Sequence, residues 1–487
     1  MDFRSIPWRS ICAAALCSVG LTWNSSAFSQ EALPPLPDAG NFLTDAPTDD
    51  FSARLEALEK AWEAHQESLS ASKAKADAEK KEKKLEAKKK PTFKLGGRIH
   101  GDVWTFPDSD PGIGFFEHPT GPLAGKDPED RFAFRRIRLE FQGDLLESMF
   151  WRMQIDFASP GDPVFKDVYV GFDDVFGQKL IVGNQKRPLG LDTWNSSRFN
   201  IFLERPFIIE DLNADARRLG VAMHGVTEDE FWNWQYGIYN LEDVQGDGTY
   251  LGDHWQLSVN GRLACAPIYE NDGADWLHLA VAGMVAVPDG DATAGVTNTN
   301  EARFRSRPEA RSAAGWIDTG RIAGTEAYEV LALEYMQNWG PLHACGEYQF
   351  NWLQRHTGMQ SVFLDGAYFQ VGYFLTGEHM TLKRESGQLD RTTPNENFFL
   401  VDHLTGDQGT GLGAWQVALR YSYADFTDAD VLGGMGQNVT LALNWHWNAY
   451  ARLQFNAIRG RIDNHAPVGG FTSGDYWILG TRLAVDF

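Results

Sequence analysis

Residues 342–352, Leu342-His343-Ala344-Cys345-Gly346-Glu347-Tyr348-Gln349-Phe350-Asn351-Trp352, set two opposite faces along one short segment. Side chains of an extended chain alternate with a period of two, so Leu342, Ala344, Gly346, Tyr348, Phe350 and Trp352 fall on one face. His343, Cys345, Glu347, Gln349 and Asn351 fall on the other. Trp151-Arg152-Met153-Gln154-Ile155-Asp156-Phe157 repeats the pattern with a cation, an amide and an acid between apolar odd positions. Fourteen further runs of roughly ten residues follow the same rule between Phe93 and Phe487, separated by Gly, Asp, Asn and Pro clusters, and bring the total to sixteen.

A soluble sandwich alternates too, with its apolar face inward, so alternation does not by itself choose the solvent. Three details choose it. The polar face is too charged and too regular for the outside of two sheets. Aromatic residues gather near strand ends, at Trp232 and Trp234, Tyr421 and Tyr423, Trp445 and Trp447, Trp477 and Phe487, where a membrane barrel carries its interfacial girdles. The chain stops on an alternating strand, Tyr476 to Phe487, that ends in an aromatic residue. The expected fold is therefore all-β, a 16-stranded antiparallel transmembrane β-barrel. Backbone N–H and C=O groups in hydrocarbon find no water, which obliges the sheet to close on itself. An even strand number returns both termini to the periplasm, and sixteen strands leave room for water inside. Alternating the runs up and down puts the long segment 377–411 on the periplasmic side. A connection of that length there predicts one misassigned strand.

Arg4 and Arg9 flank an apolar, small-residue stretch, and Ala27-Phe28-Ser29 offers a cleavage site, so residues 1–29 read as a signal peptide. Pro34, Pro35 and Pro37 make 30–50 a linker. Residues 51–90 contain neither Gly nor Pro, and Leu55, Leu58, Trp62, His65 and Leu69 recur at three- and four-residue steps. The barrel is thus expected to follow a short charged N-terminal helix, a possible coiled coil. Residues 91–487 form the barrel. Cys265 is placed outward and Cys345 inward, so no disulfide or metal pair is expected.

Composition removes other classes. A formal charge of −22 disfavours a protein that coats nucleic acid by neutralising phosphates. Inward His100, His224, His343 and His446 lack a nucleophile-elbow motif or a fixed-spacing His/Glu partner, so neither an enzyme nor a cofactor is expected. The remaining reading is a pore.

Phe134-Arg135-Arg136-Ile137-Arg138-Leu139 and Asp167-Val168-Tyr169-Val170-Gly171-Phe172 lead into a more specific run. It comprises Val182-Gly183-Asn184-Gln185-Lys186-Arg187-Pro188, Ser196-Ser197-Arg198-Phe199, Leu203-Glu204-Arg205-Pro206 and Arg217-Arg218-Leu219-Gly220-Val221. In order and spacing these resemble the phosphate-selective porin O/P family, as do Gly413-Ala414-Trp415, Arg420-Tyr421-Ser422-Tyr423 and the closing strand. The likeness covers most of 92–487 and is weakest between about 241 and 340. It implies an outer-membrane homotrimer that passes phosphate and related anions. Arg187 departs from it, since the family commonly has an acidic or small residue after the strand-five lysine.

General porins fold the connection after strand five inward. Here it spans 187–216, which makes Lys186, Arg187, Arg198, Arg205, Arg217 and Arg218 the expected anion-binding constriction. Parity adds Arg98, Arg136, Arg138, Arg152, Arg262, Arg420, Arg452 and Arg482 to the lumen. The bland reading is that such arginines brace the wall against Asp102, Glu140, Asp156, Asp167, Glu334 and Glu347. Arg303, Arg305, Arg307 and Arg311 are expected to gather anions at the mouth. Two other functions compete: a general or cation-preferring diffusion pore, for which the acidity speaks, and a barrel that anchors a periplasmic coiled coil to the cell wall.

Overall fold

A computed structural model describes residues 90–159, 163–208, 216–244, 255–289, 302–398, 401–402, 408–409 and 411–487. The expected signal peptide, linker and helix lie outside the described residues. Sixteen strands close into one barrel. They are β1 (Lys94–Ser109), β2 (Arg131–Leu146), β3 (Met149–Asp156), β4 (Val164–Val175), β5 (Gln178–Lys186), β6 (Arg217–Val226), β7 (Trp232–Asn240) and β8 (Leu257–Glu270). β9 (Asp275–Val287), β10 (Thr325–Trp339), β11 (Leu342–Arg355), β12 (Val362–Phe374), β13 (Ala414–Asp428), β14 (Val431–His446), β15 (Ala451–His465) and β16 (Gly474–Asp486) complete it. Each pairs antiparallel with the next, and β16 pairs with β1 through Arg98↔Asp486 to Asp102↔Arg482.

The alternation decides which face meets which solvent. On β14 the outward Val439 and Leu441 are 44% and 57% exposed while the inward Asn438 and Thr440 are closed. Tyr348, Phe350 and Trp352 stack along the outside of β11 at ring spacings of 4.4 and 5.7 Å. Trp415 stacks on Trp445 at 4.9 Å near the turns of the barrel. An apolar belt bounded by aromatic rings is what a hydrocarbon slab requires of a closed sheet.

Turns at 147–148, 176–177, 271–274, 340–341 and 447–450 make one end compact, and the last residue, Phe487, joins Gly97 there through paired backbone hydrogen bonds. Longer connections crowd the other end, which we call the loop end. The 375–413 segment is the exception at the turn end. Among its described residues no strand belongs to the barrel, so the expected misassignment is not found. Instead its residues 380–391 re-enter the lumen, where barrel side chains bond their backbone: Trp276 Nε1 donates to Met380 O at 2.8 Å, and Asn233 Nδ2 to Arg384 O at 3.0 Å. We call it the insertion.

The lumen is not uniformly wet. Facing inward from β9 to β14, Ala282, Met284, Val330, Ala332, Met336, Leu364, Ala418 and Ala442 form an apolar wall. Phe202, Phe207 and Ile208 from the loop after β5, and Phe304, Trp316 and Ile317 from the loop after β9, pack into the same core. At roughly 1.5–3 kcal/mol per large side chain removed from water, this packing holds both loops inside the barrel. Solvent keeps the opposite side of the lumen, along β1 to β6.

Candidate functional site

That side contains a cavity of about 640 Å³, bordered by twelve Lys or Arg side chains and three Asp or Glu side chains. Strand register supplies the wall. Arg98 on β1 sits opposite Arg138 on β2, which sits opposite Asp156 on β3. His100 pairs with Arg136, but Gly101 pairs with Phe134, so β2 carries one extra residue there. A bulge of this kind turns two consecutive side chains to the same face. Arg135 and Arg136 both reach the cavity as a result.

The loop after β5 supplies the opposing side. Gly190 has φ +79 and lies against Glu347, where an added Cβ would come within 2.4 Å of the carboxylate. The turn it permits aims the N–H groups of Leu191 and Asp192 at Glu347 Oε2, at 3.0 and 3.4 Å. Lys186 Nζ then donates to Trp194 O and Asn195 O, both at 2.8 Å. Further along, Glu204 accepts from Arg135 at 2.7 and 3.0 Å and from Arg482 at 2.8 Å. Burial pushes the Glu204 carboxyl up, but Arg135, Arg482 and Arg136 together hold it well below the usual carboxylate range. The insertion closes the ring: Trp194 Nε1 donates to Ser386 O and Leu389 N to Asn195 Oδ1, each at 2.8 Å. Lys383 and Arg391 enter the cavity from this side.

The lining cations fall into two sorts. Arg138 pairs with Asp156 at 2.7 Å, Arg152 with Glu140 at 2.9 Å, Arg205 with Asp192 at 2.9 Å, and Arg217 with Asp167 at 2.8 Å. Arg98, Arg136 and Lys186 have no carboxylate within 4.0 Å among the described residues. Arg98 donates to Ser197 Oγ at 2.7 Å, and Arg136 reaches His100 Nδ1 at 3.5 Å.

The family model described as "Phosphate-selective porin O and P" matches residues 93–487. This chain belongs to that family. The porin is 28% identical over 412 residues to an uncharacterized protein of Caulobacter vibrioides, covering 81% of this chain and 74% of that one. It is 24% identical over 435 residues to Porin O of Pseudomonas aeruginosa, covering 81% and 88%. Among solved structures, an anion-selective porin from Comamonas acidovorans superposes with a TM-score of 0.46 at 12% identity, covering 81% of this chain and 99% of that one. The trimer form of OmpT from Vibrio cholerae superposes with a TM-score of 0.47 at 10% identity and the same coverage. The chain is an outer-membrane porin, a channel protein by family.

Four of the six residues expected in the constriction, Lys186, Arg198, Arg205 and Arg217, border the cavity of this porin. Arg187 and Arg218 do not. Lys186 and Arg217 are cross-strand partners, and the residue after each is engaged elsewhere. Arg187 lies on Met284 Sδ at 3.7 Å, and Arg218 donates to Leu241 O at 2.5 Å. Arg136, Arg138 and Arg152 line the cavity. Three other inward arginines are wall braces away from it: Arg262 is bound to Glu334 at 2.7 Å, Arg420 to Glu309, and Arg482 to Asp102 at 2.6 Å. Of the mouth cluster, Arg303 pairs with Asp318 at 2.6 Å and Arg307 donates to Ser312 O, while Arg305 is exposed. Sequence parity missed Arg135, because a bulge breaks parity, and it missed Lys383 and Arg391, because nothing local marks their segment as lumenal.

Proposed function

We propose that this porin is a water-filled, anion-preferring channel for passive diffusion of phosphate or similar oxyanions, with no cofactor. The observation that carries this reading is the cavity with twelve cations against three acids, in which Arg98, Arg136 and Lys186 have no carboxylate within 4.0 Å among the described residues. An oxyanion that sheds water there loses several kcal/mol of hydration. Guanidinium forks return it by matching two oxygens at once. Several cations spread over wall, loop and insertion give multiple shallow sites, from which an ion can also leave. The homotrimer belongs to the same proposal, by likeness to the family.

Reversal potentials in planar bilayers under a KCl gradient test it. The expected result is an anion-directed potential, with chloride current blocked by added phosphate. Lys186→Ala combined with Arg198→Ala should lower the anion preference and abolish the block. An unchanged reversal potential in that variant overturns the site assignment. The chain's net charge of −22 favours a second reading, a cation-preferring pore, which the same recording would show as a potential of opposite sign.

A further inference from the structure

Beside the main cavity, and sharing Arg198, Phe199, Asp390 and Arg391 with it, a smaller chamber of about 30 Å³ lies where three elements meet: the loop after β5, the insertion, and the wall formed by β14, β15, β16 and β1. Its volume has room for one or two water-sized particles. Arg452, on β15, borders it. The residue is 8% exposed, and its guanidinium has neither a carboxylate within 4.0 Å nor a hydrogen-bond partner among the described residues. A buried cation left so is costly unless something compensates it.

The other lining groups compensate it only in part, through the more distant charge of Asp486. Asp486 is already engaged by Arg391 and, at 3.6 Å, by Arg198. Asp390 accepts from the N–H of Arg391 at 2.8 Å. Three guanidiniums and two carboxylates thus line the chamber, an excess of one positive charge, and of the three Arg452 is the one without an ion pair among the described residues. Two histidines add donor capacity. Arg136 Nη1 lies 3.5 Å from His100 Nδ1, and a guanidinium only donates, so Nδ1 accepts and the ring proton is on Nε2. His446 Nε2 is buried without a partner among the described residues.

We propose that the chamber binds one halide-sized monovalent anion, chloride in ordinary salt, held by Arg452 as a fixed part of the fold rather than as a permeating ion. Its place at the junction of wall, loop and insertion makes it a clasp on the two elements that narrow the lumen. The proposal does not depend on which ions the channel passes.

Full-length protein in detergent tests it in two ways. In crystals grown with bromide, an anomalous peak in the chamber beside Arg452 is expected. Ordered water without anomalous signal there overturns the proposal. In thermal unfolding at constant ionic strength, chloride and bromide should raise the midpoint in a saturable way where gluconate, too large for the chamber, does not. Arg452→Gln should lose that halide-specific increment, and an equal increment in the variant overturns the proposal. The bromide experiment needs no variant, so it decides the matter even if Arg452→Gln fails to fold.

Discussion

Inward arginines of this porin divide by what faces them, and the division predicts opposite phenotypes. Arg262 and Glu334 have fully buried side chains 2.7 Å apart. Removing one member leaves the other charge buried and unpaired, a loss of about 3–5 kcal/mol. Arg262→Ala should therefore lower the urea midpoint of the folded barrel while leaving the reversal potential unchanged. Arg98, whose recorded hydrogen bond is to Ser197 Oγ, should behave the other way. In Arg98→Ala the anion-to-cation permeability ratio should fall severalfold with the midpoint nearly unchanged, and identical behaviour of the two variants would falsify the division. Parity alone could place Arg98, Arg136 and Arg262 in the lumen, since it needs only the period of the strand. It could not sort them, because the sorting partners are remote in the chain: Glu334 is 72 residues from Arg262, and Glu309 is 111 residues from Arg420.

Elements were legible to the extent that their structure is local. All sixteen alternating runs correspond to barrel strands. Their loop-end limits were less visible: β13 and β14 continue to a turn at Ala429 and Asp430, through Gly433, Gly434 and Gly436, which read as a loop in sequence. The insertion was invisible as a lumenal element because its partners, Trp276, Asn338, Asn195 and Asp486, are scattered over four distant segments. For the loop after β5, Glu204 is the clamp, and its depressed pKa sets a pH window. A carboxyl whose folded pKa lies below its unfolded value of about 4.3 contributes fully above that value and loses its contribution only as pH falls through the folded one. Between pH 7 and roughly 4.5 the open-channel noise should stay constant. Below that range protonation of Glu204 frees Arg135 and Arg482, and current fluctuations should grow as the loop loosens. Glu204→Gln should reproduce the noise at pH 7; a quiet variant at pH 7 removes Glu204 from this role.

At the scale of the whole molecule, a cation-lined cavity sits inside an acidic body. Residues 91–487 carry roughly −21, while the cavity lining is strongly positive. These two charge distributions act over different distances. Acid on exposed surfaces works through solvent and is screened beyond a Debye length of about 30 Å at 0.01 M salt and about 3 Å at 1 M. Buried cations such as Arg98 and Arg136, each 3% exposed, are screened much less because mobile ions cannot surround them. Raising the salt therefore removes the long-range repulsion that keeps anions from the mouth before it weakens the pull of the cavity cations. The permeability ratio for chloride over potassium should accordingly rise between 0.01 and 1 M KCl, which is the reverse of a pore whose preference comes from surface charge. A ratio that favours anions at low salt and decays to unity at 1 M would place the selectivity on the surface instead of in the cavity. A preference for potassium throughout would mean that the acidic body, and not the arginine-lined wall, governs what this porin passes.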